Sequence, residues 1–189
     1  MSAPLVPTPS QTVGPFFEFG LLDPPQHELV PAGTPGAVRI EGVVFDGQGL
    51  PIPDAMIEIW QAAPSGRYPH PEDPRAGLPI DDGFTGFGRS GTDASGTFWF
   101  MTVKPGPVPW PDGRPQAPHL NLSVFARGLL KRLVTRLYFP DESAANALDP
   151  LLSSLDPSVG STLVAVEDRG VLHFNIRLQG QGETCFFQV

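Results

Sequence analysis

The sequence has 189 residues, 40% of them hydrophobic, enough for one well-packed domain and too short for two comfortable ones. Its formal charge of -8 argues against a nucleic-acid or anionic-membrane partner, since neither polyanion is drawn to an acidic surface; a small anion held by one buried arginine stays open. The lone cysteine, Cys185, cannot form an internal disulfide, and there is neither a leader-like start nor an apolar run of about 18 residues, so the expected location is the cytoplasm.

Twenty-four prolines and 21 glycines argue against a helical bundle and for many turns between strands. The expected class is all-β, a β-sandwich with long loops, an extended N-terminal arm and one short helical segment. Residues 1–36 form the arm, because recurrent prolines forbid a continuous helix, and residues 37–189 form the sandwich. Phe16, Phe17, Phe19, Leu21 and Leu22 are too apolar to leave in water, so the arm should lie on its own domain or on a partner chain. Thr12-Val13-Gly14-Pro15 just before them either serves a ligand through close backbone approach or only packs.

Strands are expected at residues 38–46 and 56–62, the first closed by the turn Asp46-Gly47-Gln48-Gly49. Residues 64–90 have no period and read as a long loop, of the kind that serves a site or an interface. The strand at 97–103 carries aromatic side chains on both faces, Phe98 and Phe100 against Trp99, which suggests a central strand. Another strand follows at 132–139. The helix candidate spans 141–155, with Pro150 dividing it into two short pieces. Three short strands, at 162–167, 171–178 and 184–188, complete the chain.

The most informative stretch is residues 117–128, which alternates polar and apolar with a period of two. Leu120, Leu122, Val124 and Ala126 should face a core, while His119, Asn121, Ser123, Phe125 and Arg127 share the other side. An imidazole, a carboxamide, a hydroxyl and a guanidinium on one face suit a pocket. Motifs for other chemistry are missing: there is no Gly-x-Ser-x-Gly, no phosphate-binding glycine loop and no His-Glu-x-x-His. Cys185 sits in an apolar run and reads as a small hydrophobe rather than a nucleophile. His27, His70, His119 and His173 form no His-x-His pair, and spacing alone favours structural or solvated roles for all four.

Seven blocks in order carry a more specific signal. They are Thr8-Pro9-Ser10-Gln11-Thr12-Val13-Gly14-Pro15-Phe16, Glu58-Ile59-Trp60-Gln61-Ala62, Gly88-Arg89-Ser90-Gly91-Thr92, Val103-Lys104-Pro105-Gly106, Ala117-Pro118-His119-Leu120-Asn121-Leu122-Ser123, Thr135-Arg136-Leu137-Tyr138-Phe139 and Phe174-Asn175-Ile176-Arg177-Leu178-Gln179-Gly180. In these the sequence resembles the intradiol ring-cleaving dioxygenases, a β-sandwich family. Its enzymes hold a ferric ion with two tyrosinates and two histidines, hard phenolates favouring Fe(III). At the matching positions this chain has Val108 for the second tyrosine, and His119 with Asn121 for the His-x-His pair. Ala76, in a loosely matched loop, stands for the first tyrosine. The arginine that precedes the pair in the family is here Gln116.

The resemblance therefore implies relic ligand positions at Val108, His119 and Asn121, with no metal and no catalytic residue in this chain. Such losses mark the family's iron-free α subunits. The implied partner is a homologous β subunit carrying Fe(III), in an αβ hetero-oligomer that cleaves protocatechuate with O2 to 3-carboxy-cis,cis-muconate. Thr12, Gly14 and Pro15 of the arm, and Arg127, are implied to enter the substrate pocket of that partner, where a guanidinium suits the substrate carboxylate. Two other readings stay open: a stand-alone sandwich that binds an aromatic acid, and an iron enzyme acting alone through Tyr68, Tyr138, His70 and His119.

Overall fold

The computed structural model describes residues 8–14 and 16–188. Pro15, one of the expected pocket residues, lies outside the described residues. The elements in chain order are α1 (Phe16–Leu21), β1 (Ala37–Phe45), β2 (Met56–Trp60), β3 (Phe87–Gly91), β4 (Thr97–Val103), β5 (Val108–Pro109), β6 (Pro115–Gln116), β7 (His119–Phe125), β8 (Leu133–Tyr138), α2 (Ser143–Leu148), α3 (Pro157–Gly160), β9 (Val166–Asp168), β10 (Val171–His173) and β11 (Ile176–Arg177). Single 3-10 turns at Pro140–Glu142, Leu152–Ser154 and Ser161–Leu163 flank the short helices. Among the described residues, no helix is long and apolar enough to cross a membrane.

The strands make the β-sandwich that the alternating patterns imply. One sheet runs β3-β2-β7-β8, all antiparallel; the other is built on β1, which pairs with β4 on one edge and with β10 and β11, parallel, on the other. Their inner faces meet in one core, with Ile57, Ile59, Leu120, Leu122 and Val124 from the first sheet and Ile40, Val44, Phe98, Phe100 and Ile176 from the second, all at most 2% exposed. Each such side chain contributes roughly 1.5–3 kcal/mol of burial, which makes this apolar face the main stabiliser of the fold.

Several elements differ from the sequence expectation for identifiable reasons. The central strand of its sheet is β1, not β4. The free edge of β4 is covered by the arm, whose Leu29 N–H donates to Met101 O at 2.8 Å while Met101 N–H donates to His27 O at 2.9 Å. The outward Trp99 is covered by the His27 ring, 4.0 Å away between centroids, and by the Arg39 guanidinium, so aromatics on both faces did not require a third layer. The expected loop at 64–90 ends in β3, hidden because Gly88 and Gly91 lower its strand character. Both glycines lie under the arm: a Cβ at 88 would lie 2.4 Å from Leu29 Cδ1, and one at 91 would lie 2.5 Å from Leu22 Cδ1, each the end of a flexible side chain.

The expected strand 171–178 breaks at Phe174-Asn175, where the Phe174 carbonyl presses on Gly42 and the Asn175 side chain accepts from Val43 N–H at 2.9 Å in place of a ladder bond. Residues 184–188 reduce to one bridge, Val134 with Phe187. The strand expected at 162–167 shortens to β9, because residues 161–163 coil into a 3-10 turn. The segment 141–155 is divided at Asp149-Pro150 as the proline requires. Within the arm, the proline-free interval after Pro15 winds into α1, and Gln26 and Glu28 bridge to β3 and β4.

Candidate functional site

Strand register builds the outer face of the β3-β2-β7-β8 sheet in rungs. Phe87, Trp60, Asn121 and Arg136 form one rung; Arg89, Glu58, Ser123 and Val134 the next; Gly91, Met56 and Phe125 a third. The Glu58-Arg89 ion pair, with Nη2 to Oε1 at 2.6 Å, occupies the middle, and Arg89 Nη1 also donates to the Leu21 carbonyl at 3.2 Å, tying the arm down. On either side of that bar lies a cleft. Period-two alternation had placed His119 and Asn121 on this face; the structure adds the partners that only register reveals.

The first cleft, of about 740 Å3, takes its walls from Trp60, Tyr68, Val108, Trp110, His119 and Arg136. Val108 and His119 are 5% and 4% exposed. Asn121 is committed on both sides: Nδ2 donates to the Tyr68 hydroxyl at 3.2 Å and Oδ1 accepts from Arg136 Nε at 3.1 Å. Trp60 and Tyr68 stack, 5.7 Å apart and 9° from parallel. His119 Nδ1 donates to the Ala117 carbonyl at 2.8 Å, and burial, helped by the Arg136 charge, pushes its pKa down to about 4, so the ring is neutral near pH 7. Burial raises the pKa of Tyr68 and, strongly, of Tyr138, so both phenols keep their protons. The buried Asp149 carboxylate holds this end together, accepting from Ala117 N–H at 2.8 Å, Leu151 N–H at 2.9 Å, Leu152 N–H at 3.0 Å and Tyr138 hydroxyl at 3.2 Å.

The second cleft, of about 510 Å3, brings together Gly14, Phe17, Leu22, Asp54, Met56 and Arg127. Gly128 N–H donates to Thr12 Oγ1 at 2.8 Å, which pins the arm to the turn after β7, and the Phe17 ring packs on Phe125 at 5.6 Å. Thr12, Gly14 and Arg127 are thus neighbours although more than a hundred residues separate them. Arg127 is 75% exposed and paired with Asp54; Gly14 has open space around its Cα; Phe16 and Phe19 project at 81% and 75% exposure. Sequence reasoning missed Trp60, Trp110, Arg136 and Asp149. Arg136 had a signal, an arginine in phase with Tyr138 on a half-buried strand, whereas Trp110 sits in the turn of the β5-β6 hairpin, whose two-residue strands are too short to show alternation.

A family model described as Dioxygenase matches residues 24–180. The chain belongs to the intradiol ring-cleaving dioxygenase family. It is 42% identical, over 96% of its length and 97% of the relative's, to the protocatechuate 3,4-dioxygenase alpha chain of Burkholderia cepacia. It is 36% identical to the beta chain from the same organism, over 88% of this chain and 71% of that one. Among solved structures, the dioxygenase domain of a carbohydrate-binding fusion protein from Streptomyces sp. SirexAA-E aligns with a TM-score of 0.59 and 28% identity, over 93% of this chain and 99% of that one.

The family implies a ferric ion, and the residues of the first cleft do not suit one. Val108 offers no donor atom, the Asn121 amide is spent on Tyr68 and Arg136, both phenols favour their protonated form, and the guanidinium of Arg136 repels a cation. Of the other lining groups, Asp73 is paired with Arg75, and His119, His70 and Glu72 remain. Among the described residues, no group of three or more His, Cys, Asp or Glu side chains is arranged to hold a metal.

Proposed function

We propose that this chain is the iron-free α subunit of a cytoplasmic protocatechuate 3,4-dioxygenase, joined to a homologous β subunit that holds Fe(III). The observation that carries this reading is the near-full-length likeness to an alpha chain, combined with a relic cleft whose donor atoms do not suit iron. The ferric centre of the partner supplies the ring-opening chemistry with O2, giving 3-carboxy-cis,cis-muconate. This chain supplies binding. Residues 1–36 act as the partner-facing arm on the sandwich of residues 37–189, and Phe16 and Phe19 are the apolar side chains it offers. Thr12, Gly14, Pro15 and Arg127 form the contribution to the substrate pocket.

In that role Arg127 exchanges its intramolecular carboxylate, Asp54, for the carboxylate of protocatechuate. The exchange is cheap because an exposed ion pair is worth little, about 0–1 kcal/mol. It becomes selective once the partner excludes water from the guanidinium. The test is to purify the chain alone and co-expressed with the β subunit, measuring bound iron, visible tyrosinate-to-Fe(III) absorption and O2 uptake with protocatechuate. A colourless, inactive chain that forms an active coloured complex supports the reading; colour and turnover in the chain alone overturn it.

A further inference from the structure

Positive charge is concentrated in one part of an acidic chain. Residues 113–140 contain five lysines and arginines and no aspartate or glutamate, although the net charge of the whole is -8. Two of the five are engaged elsewhere: Arg114 pairs with Asp112, and Arg136 lines the first cleft. The other three, Arg127, Lys131 and Arg132, fall in the turn that joins β7 to β8, and all three are exposed.

The fold sets this turn against the arm. Val13 and Phe17 line a hollow of about 200 Å3 together with Lys131 and Arg132, and the same two arm residues line the second cleft, where Arg127 stands. Among the described residues, Asp54 is the one carboxylate lining either hollow, and no carboxylate lies within salt-bridge distance of Lys131 or Arg132. With Asp54 set against Arg127, and Glu18 the one acid in α1, the turn keeps a surplus of positive charge.

Exposed, well-hydrated side chains of this kind do not hold a ligand in one pose. Their field still reaches about one Debye length, ~10 Å at 0.1 M salt and ~30 Å at 0.01 M, so it covers the four or five residues that separate them from Arg127. A field at the mouth of a site raises the local concentration of an anion there and leaves the chemistry inside unchanged.

We propose that Lys131 and Arg132 are steering residues which, given the role proposed for Arg127, draw the anionic aromatic acid toward the pocket at the subunit boundary and deliver it to that guanidinium. They act on kcat/KM and not on kcat, and a neutral substrate does not feel them.

The test is steady-state O2 uptake by the co-expressed complex of the full chain with the β subunit, with protocatechuate and with uncharged catechol. At an ionic strength of about 10 mM, joint Lys131→Gln and Arg132→Gln substitution should lower kcat/KM for protocatechuate about three- to tenfold with kcat unchanged; at about 500 mM the difference should fall below about twofold. The charge-keeping exchange, Lys131→Arg with Arg132→Lys, should match the native complex, and catechol turnover should be alike in all three at both salt levels. An active native complex whose neutralised variant is indistinguishable from it at low salt would overturn the proposal alone. So would an equal loss on catechol, a loss that salt does not remove, or failure of the neutralised chain to join the β subunit, which would mark the turn as a docking surface. An inactive native complex would overturn the role on which the proposal rests, and the proposal with it.

Discussion

Arg136 and Asn121 face each other across β7 and β8, and the Nε–H of the first donates to Oδ1 of the second at 3.1 Å. The carboxamide thereby relays between a guanidinium and the Tyr68 hydroxyl, a task that imidazole cannot copy, since it carries one acceptor and one donor at fixed angles. Asn121→His restores the His-x-His spacing with His119 but not the ligand set. Metal analysis and visible spectra of this variant should show no bound iron and no tyrosinate band. Thermal unfolding should show a loss of about 1–3 kcal/mol from the orphaned partners. Iron uptake by the single variant would contradict the account of why this cleft does not suit the metal.

His119 makes an acid limb in the stability curve. Its pKa is lowered from 6.5 to about 4 in the folded chain, by burial first and the Arg136 charge second, so the unfolded state binds the extra proton more readily. The stabilisation is complete above pH 6.5 and is lost as pH falls toward 4, by at most roughly 3 kcal/mol. Asp73, whose carboxyl is held low by Arg75, works in the same direction but below its ordinary 3.8, so the two windows are separable. Denaturant titrations between pH 7 and 4 should show the slope in the native chain and a flatter line in His119→Gln. Parallel lines would place the acid sensitivity elsewhere.

Legibility in the sequence follows how local each cause is. The strand at 97–103 and the alternation over 117–128 are readable because alternation is a local property; the structure keeps the first span and trims the second to 119–125. β3 is not, because Gly88 and Gly91 lie under Leu29 and Leu22, roughly sixty to seventy residues upstream. The same division holds in the first cleft. His119 and Asn121 fall on one face by counting in twos, but Arg136 joins them only through the β7-β8 register, and Asp149 through a helix break that brings its carboxylate under Ala117 N–H.

Two glycines on the two sheets should respond differently to the same change. A Cβ on Gly42 would sit 1.9 Å from the Phe174 carbonyl oxygen, a backbone atom in the register of β1 with β10 and β11, and it has nowhere to go. A Cβ on Gly91 would meet the end of the Leu22 side chain, which can swing away. Gly42→Ala is expected to cost more than about 3 kcal/mol or to prevent folding, and Gly91→Ala less than about 1 kcal/mol while loosening the arm. Chemical denaturation checks the first. Limited proteolysis, with faster cutting ahead of residue 24 and an intact sandwich, checks the second.

Arg127 is where the proposed role and the fold separate most cleanly. Its side chain is 75% exposed and its carboxylate partner, Asp54, is itself a third exposed, so the pair adds little to stability. Arg127→Ala should therefore shift the unfolding midpoint of the chain by no more than about 0.5 kcal/mol. In the active complex with the β subunit, the same variant should raise KM for protocatechuate by about tenfold or more with a smaller change in kcat, the pattern of a lost binding contact. Catechol, which lacks the carboxylate, provides the control, and turnover of it should be alike in the native and variant complexes. An equal loss on both substrates would mean that Arg127 shapes the interface rather than receiving the carboxylate.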